Sequence, residues 1–168
     1  MSGPVDSILK QKLARFLANA KRNTYASIDS QRIESERPGH KELEFHEDGL
    51  YYRDSYVGFF QAPGMEEVRL GDRNGPTIWT MAYSGGMLPA YQGDVEFAGQ
   101  CFGVLKKALE LVPEENPFRG PGKLEEGDWK YTSSVQGDIT RFLGHEKIFY
   151  KGDEVFSQDY VGGIVIGK

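Results

Sequence analysis

The chain predicts an α+β domain of two internally duplicated helix-plus-antiparallel-meander units, forming one curved antiparallel sheet with two main helices packed on one face. Three observations predict it. Apolar residues recur at helical spacing in two stretches. Most of the remainder reads as short strands between turn signals. The two strand-rich stretches also resemble each other in order and spacing.

The first helix is expected over about residues 5–20, where Ile8, Leu9, Leu13, Phe16, Leu17 and Ala20 make one apolar face. Lys10, Lys12, Arg15, Lys21 and Arg22 read as its solvated face. A polar loop follows through Glu36 and ends at the turn signal Arg37-Pro38-Gly39. Leu43 and Phe45 alternate with Glu42, Glu44 and His46, the pattern of a strand with one wet face. Asp48-Gly49 predicts a tight hairpin turn, and the tyrosine-rich residues 50–57 the return strand. Residues 66–70 and 77–83 are strands around a turn at 72–76, with Gly85-Gly86 ending the second.

The second helix is expected over about residues 95–112, where Phe97, Cys101, Val104, Leu105, Ala108 and Val112 share a face and Pro113 stops it. Residues 116–122 form a proline- and glycine-rich loop. Strands resume at 128–134, about 139–142, 146–150 and 154–160, with a hairpin turn at Lys151-Gly152-Asp153.

Four segments of the two halves match in order. Residues 50–55 correspond to 129–134, and Gly58 to Gly137. Residues 64–68 correspond to 144–148, Ile78-Trp79 to Val155-Phe156, and residues 83–86 to 160–163. The offset is near 79 residues, far longer than a solenoid repeat, so two units packed as a pseudo-symmetric pair fit better. The chain of 168 residues is therefore read as one domain with halves of about 1–90 and 91–168. Side by side, the halves would form one sheet of six to eight strands, with a groove at the open face or the seam.

Composition narrows the function classes. A net charge of −5 and a pI of about 5.3 argue against nucleic acid as a partner, because backbone binding needs clustered Lys and Arg. The one cysteine, Cys101, forms no intrachain disulfide and falls on the apolar face of the second helix. The start, MSGPVDS, lacks the pattern of a signal peptide, and no apolar stretch approaches the ~20 residues needed to span a bilayer. These features are expected of a cytoplasmic protein without membrane contact. His40, His46 and His145 are isolated, so no metal site and no cofactor are expected.

The candidate ligand-binding residues are Tyr52, Tyr56, Trp79, Tyr83, Arg119, Tyr131 and Tyr160. By alternation Tyr52, Asp54 and Tyr56 point one way, and Tyr51, Arg53 and Ser55 the other. One of these faces is core; the other, polar and aromatic, suits either a solvated sheet face or a small-molecule groove. Arg119 sits in a stiff loop that could aim a guanidinium at a carboxylate or phosphate; its plainer role is pairing with Glu114 or Glu115, or capping the second helix. Glu66 and Glu146 occupy matching places in the two halves. They are the candidate acid and base if the chain is an enzyme, and salt-bridging or simply exposed groups if it is not.

Several segments in combination resemble an uncharacterised bacterial and archaeal domain family. They are Thr24-Tyr25, Arg37-Pro38-Gly39, residues 51–56, residues 78–83, residues 117–121, Gly137-Asp138, Gly144-His145-Glu146 and Gly162-Gly163. Members of that family look like stand-alone proteins or C-terminal partners of Xre-type helix-turn-helix regulators. The resemblance implies effector sensing linked to transcriptional regulation. More loosely, the layout is similar to two-unit ligand-binding domains attached to some bacterial regulators. The expected function is small-molecule binding or effector sensing without DNA binding. The alternatives are a small hydrolase or lyase using Glu66 and Glu146, and a homodimeric interaction module.

Overall fold

The computed structural model describes residues 4–24 and 32–168. Tyr25 and part of the polar loop read from the sequence, residues 25–31, lie outside the described residues, as do residues 1–3.

Helix α1 spans Pro4–Asn23. Leu13, Phe16, Leu17 and Ala20 are buried as the spacing predicts, but Ile8 and Leu9 are 65% and 59% exposed. Lys21 corrects the reading of a wholly solvated basic face, since it is only 2% exposed. It lies one turn beyond Leu17, so it continues the buried side of the helix. Helix α2 spans Val95–Glu110, and the Asp94 side chain caps its start by accepting the Phe97 amide at 2.9 Å.

The strands are β1 (Arg32–Ile33), β2 (Lys41–Glu47), β3 (Leu50–Tyr56), β4 (Gly64–Leu70) and β5 (Thr77–Met87), followed after α2 by β6 (Lys123–Glu126), β7 (Trp129–Asp138), β8 (Arg141–Tyr150) and β9 (Asp153–Ile164). They form one nine-stranded sheet among the described residues, in the order β1-β2-β3-β4-β5-β9-β8-β7-β6. All neighbours are antiparallel, so each half of the sheet is a meander running outward from the β5–β9 seam. The β2–β3 turn places Asp48 and Gly49 at φ of 51° and 74°, the geometry that two-residue hairpins require.

Three sequence expectations are corrected. Gly85-Gly86 and Gly162-Gly163 fall in the last three residues of β5 and β9, still paired in the sheet and not beyond it: Gly85 pairs with Gln158, Gly86 with Ser157, Met81 with Gly162 and Thr80 with Gly163. At Gly86 a Cβ would stand 2.0 Å from the Phe60 carbonyl oxygen, so glycine is needed for a close backbone crossing and not for a stop. The strands expected at 139–142 and 146–150 are one strand, β8. Gly144, in the gap between those two segments, is a packing feature, because a Cβ there would lie 2.1 Å from the Tyr160 ring. Finally, β1 falls in the segment read as a polar loop, and β6 in residues 123–126, to which the sequence reading assigns no element.

Two core clusters hold the elements together. α1 contributes Leu13, Phe16, Leu17 and Ala20 to the first, with Tyr52, Val68, Trp79, Met81 and Tyr83 among its sheet partners. α2 contributes Cys101, Val104, Leu105 and Ala108 to the second, against Met87, Tyr131, Ile148, Val155 and Phe156. Burial pushes the Cys101 thiol pKa up to about 12, which makes it an inert packing group at neutral pH.

Candidate functional site: a buried ion network under a cationic pocket

Strand alternation sends Tyr52, Asp54 and Tyr56 of β3 to the same side of the sheet as Glu66 of β4, Tyr83 of β5, Tyr131 of β7, Glu146 of β8 and Tyr160 of β9. Pairing then sets them side by side. Asp54 stands opposite Glu66, Ser133 opposite Glu146, and Tyr83 opposite Tyr160 at the seam. Each seam tyrosine crosses a glycine on its other neighbour, Tyr83 over Gly64 and Tyr160 over Gly144.

The loop of residues 116–122 supplies the central cation. Phe118 is fully buried, with its ring centroid 3.8 Å from that of Phe142 and 6.5 Å from Trp79, both stacked. This anchor drives the adjacent Arg119 into the interior. Its Nε donates to Glu146 Oε1 at 2.9 Å, and Nη1 lies 3.8 Å from Glu66 Oε1. Glu114 and Glu115, the local partners expected for it, are exposed. The Val112 carbonyl at the end of α2 accepts a bond from Arg22 at 2.8 Å.

The remaining partners complete the network. Glu146 also accepts from Tyr131 Oη at 2.6 Å and from Gln158 Nε2 at 2.7 Å. The Gly120 amide donates to Tyr131 Oη at 3.0 Å. Lys21 donates to Glu66, and the Tyr52 hydroxyl bonds the same carboxylate. Tyr83 donates to Asp54 Oδ1 at 2.7 Å. Ser133 and Tyr160 share a bond of 2.8 Å. Such pairing is what permits charges at this depth.

Burial, with the charge of Glu66 beside it, pushes the Asp54 carboxyl up to about 7 from its ordinary 3.8. Burial lowers the Lys21 pKa, against the opposing pull of Glu66. Burial also holds the Tyr52, Tyr83 and Tyr131 hydroxyls well above 10, so they stay protonated donors.

A cavity of about 230 Å³ opens above this network. Asp54, Tyr56, Tyr83, Arg119 and Gln158 contribute its polar lining. Phe59, Phe102, Leu105 and Phe156 contribute apolar wall, and Arg32, Lys41 and Lys106 contribute cations. Of the residues the sequence nominated, Tyr56, Tyr83 and Arg119 therefore line the cavity. Tyr52, Trp79, Tyr131 and Tyr160 are buried in the cores beneath it. Glu66 and Glu146 do not line it; they are engaged by Lys21 and Arg119.

Sequence reasoning missed Asp54 and Lys21 as site members. The available signals were that Asp54 alternates with Tyr52 and Tyr56, and that Lys21 stands one helical turn from Leu17. Among the described residues no three His, Cys, Asp or Glu side chains gather as a metal site, and no helix is long and apolar enough to cross a membrane.

The fold and site thus define an α+β domain whose antiparallel sheet carries a buried, ion-paired pocket floor. The chain belongs to the domain of unknown function DUF5680, whose model matches residues 54–165. That span holds Asp54, Tyr83, Arg119 and Glu146, whereas Lys21, Arg32 and Lys41 precede it. No curated protein and no solved structure matches the chain.

Proposed function

We propose that this chain is a small-molecule-binding, effector-sensing domain, and that the cavity over Asp54, Tyr83 and Arg119 is its ligand site. The observation that carries this reading is the combination of an open cavity with buried, hydrogen-bonded polar groups at its base. Its volume of about 230 Å³ lies below the roughly 300–1,000 Å³ of sites for drug-sized ligands, which fits a small metabolite. The acid–base alternative is less well supported, because Glu66 and Glu146 are tied into the buried ion pairs and do not line this cavity.

Internal duplication deepens the reading. The β5–β9 register pairs Trp79 with Ile164 and Met87 with Phe156, balanced about the central pair Tyr83 and Tyr160. With the repeat of tyrosine over glycine and of glutamate on β4 and β8, this arrangement supports two related halves, each with its helix on the same sheet face. A ligand site beside their seam then follows the usual preference for junctions. The resemblance to domains joined to Xre-type regulators motivates the further proposal that the sensing role is exercised in a bacterial cytoplasm and reports to transcription through a partner, without DNA contact of its own.

Native and denaturing mass spectra of the freshly purified chain test the proposal. The expected result is a reproducible added mass that is lost on denaturation. A bare protein whose melting temperature also responds to no member of a small-metabolite panel would overturn it.

A further inference from the structure

The charge around the cavity runs against the charge of the chain. The protein carries −5 overall, yet the cavity gathers Arg32, Lys41 and Lys106 with Arg119 beneath them. Asp54 is the one acid in its lining among the described residues. Among the described residues no acidic side chain forms an ion pair with Arg32, Lys41 or Lys106. Their placement is not that of loose surface charge. Lys41 Nζ sits 5.7 Å from the centroid of the Tyr56 ring, and Arg32 lies near enough to influence the Tyr56 hydroxyl. Lys106 stands one helical turn from Phe102, so both face the cavity.

The wall is aromatic. Phe102 meets Phe59 edge-on with centroids 5.3 Å apart, and meets Phe156 edge-on at 6.5 Å. A concave site that combines clustered cations with apolar walls focuses field toward negative ligands and still shelters an apolar body.

Resting on the ligand-site reading above, we infer that the occupant is a small amphipathic anion: a carboxylate or phosphate group, held by Arg32, Lys41 and Lys106, on an aromatic or compact aliphatic body lying against Phe59, Phe102 and Phe156. A neutral Asp54 adds no opposing charge and can donate a hydrogen bond to the anion. Buried beside Glu66, with its pKa raised to about 7, Asp54 is roughly half protonated at neutral pH.

Calorimetric titration of the full chain with four probes of one body tests this: benzoate, phenyl phosphate, neutral benzamide and cationic benzylamine. The expected result is that an anion binds at least about tenfold more tightly than benzamide or benzylamine, a difference of one charge-assisted contact. The stronger of benzoate and phenyl phosphate identifies the headgroup. Lys41→Glu and Lys106→Glu, two substitutions away from the buried network, should each weaken that binding about tenfold with the fold intact by circular dichroism. Benzylamine or benzamide binding as tightly as the anions, or charge reversals without effect, would overturn the anion inference and leave the pocket standing. A folded chain that binds none of the four and carries no co-purified mass would overturn both.

Discussion

The two halves of the sheet place a glutamate at matching positions and neutralise it differently. On β8, Glu146 faces Ser133 and Gln158 and receives donors from Arg119, Tyr131 and Gln158. On β4, Glu66 faces a second carboxyl, Asp54, and its close cation is the single Lys21 of α1. One half therefore holds one acid with three donors. The other holds two acids that share one lysine and the far edge of Arg119, and a proton makes up the difference at Asp54. The cavity lies on the side where charge is least settled, and this is where an added ligand can change the balance.

That comparison can be broken at several points. Arg119→Ala removes the one cation paired with Glu146 among the described residues and the second cation of Glu66, and should cost about 3–5 kcal/mol in urea unfolding. Lys21→Met leaves Glu66 with Arg119 and Tyr52, and should cost about 1–3 kcal/mol. Equal losses from the two would mean that the halves are not neutralised differently.

The pH dependence sharpens the same point. The folded-state pKa of Asp54 is raised to about 7 from an ordinary 3.8, so the folded chain holds this proton more tightly than the unfolded chain. Its contribution is complete below about pH 4 and is lost as pH rises to about 7, with a slope approaching 1.4 kcal/mol per pH unit. The groups acting on it are Glu66 from β4, Tyr83 from β5, Lys21 from α1 and Arg119 from the loop. Asp54→Asn keeps all four and should remove that slope from stability measured at pH 4.5 to 7.5. An unchanged slope would place the shared proton elsewhere.

Gly144→Ala forces a methyl group into the Tyr160 ring, and Gly64→Ala one into Tyr83. Each should cost about 1–3 kcal/mol by overpacking, measured by thermal unfolding. Tolerance at one glycine alone would show that only one half needs the tyrosine-over-glycine crossing. At the small end, Lys107→Ala breaks an exposed pair with Glu126 and should change stability by less than about 0.5 kcal/mol.

The sequence made the strongly periodic elements legible. Both helices, the β2–β3 and β8–β9 hairpins and the α+β class follow from spacing and turn chemistry. Glycines are the harder residues to read: Gly85-Gly86 suggests the end of a strand that in fact runs through it to Met87, and nothing local shows that Gly144 and Gly162 let a neighbour come close. The polar strands β1 and β6 carry no alternation to read.

In the site, strand alternation brought Tyr52, Tyr56, Tyr83, Tyr131 and Tyr160 to one side of the sheet. It could not tell which would line a cavity and which would fill the core. For Lys21 charge suggests exposure, but its helical position, one turn beyond Leu17, puts it inward. The cations of the cavity come from β1, β2 and α2, and their convergence depends on packing that no local spacing encodes.

The seam has a consequence for how the chain is made. β5 is complete by Met87, but its partner β9 begins at Asp153. Throughout synthesis of the intervening residues, the middle of the future sheet is an open edge with unpaired backbone groups, the kind of surface that recruits stray strands. Tyr83 waits there for Tyr160, so the centre of the sheet is sealed last.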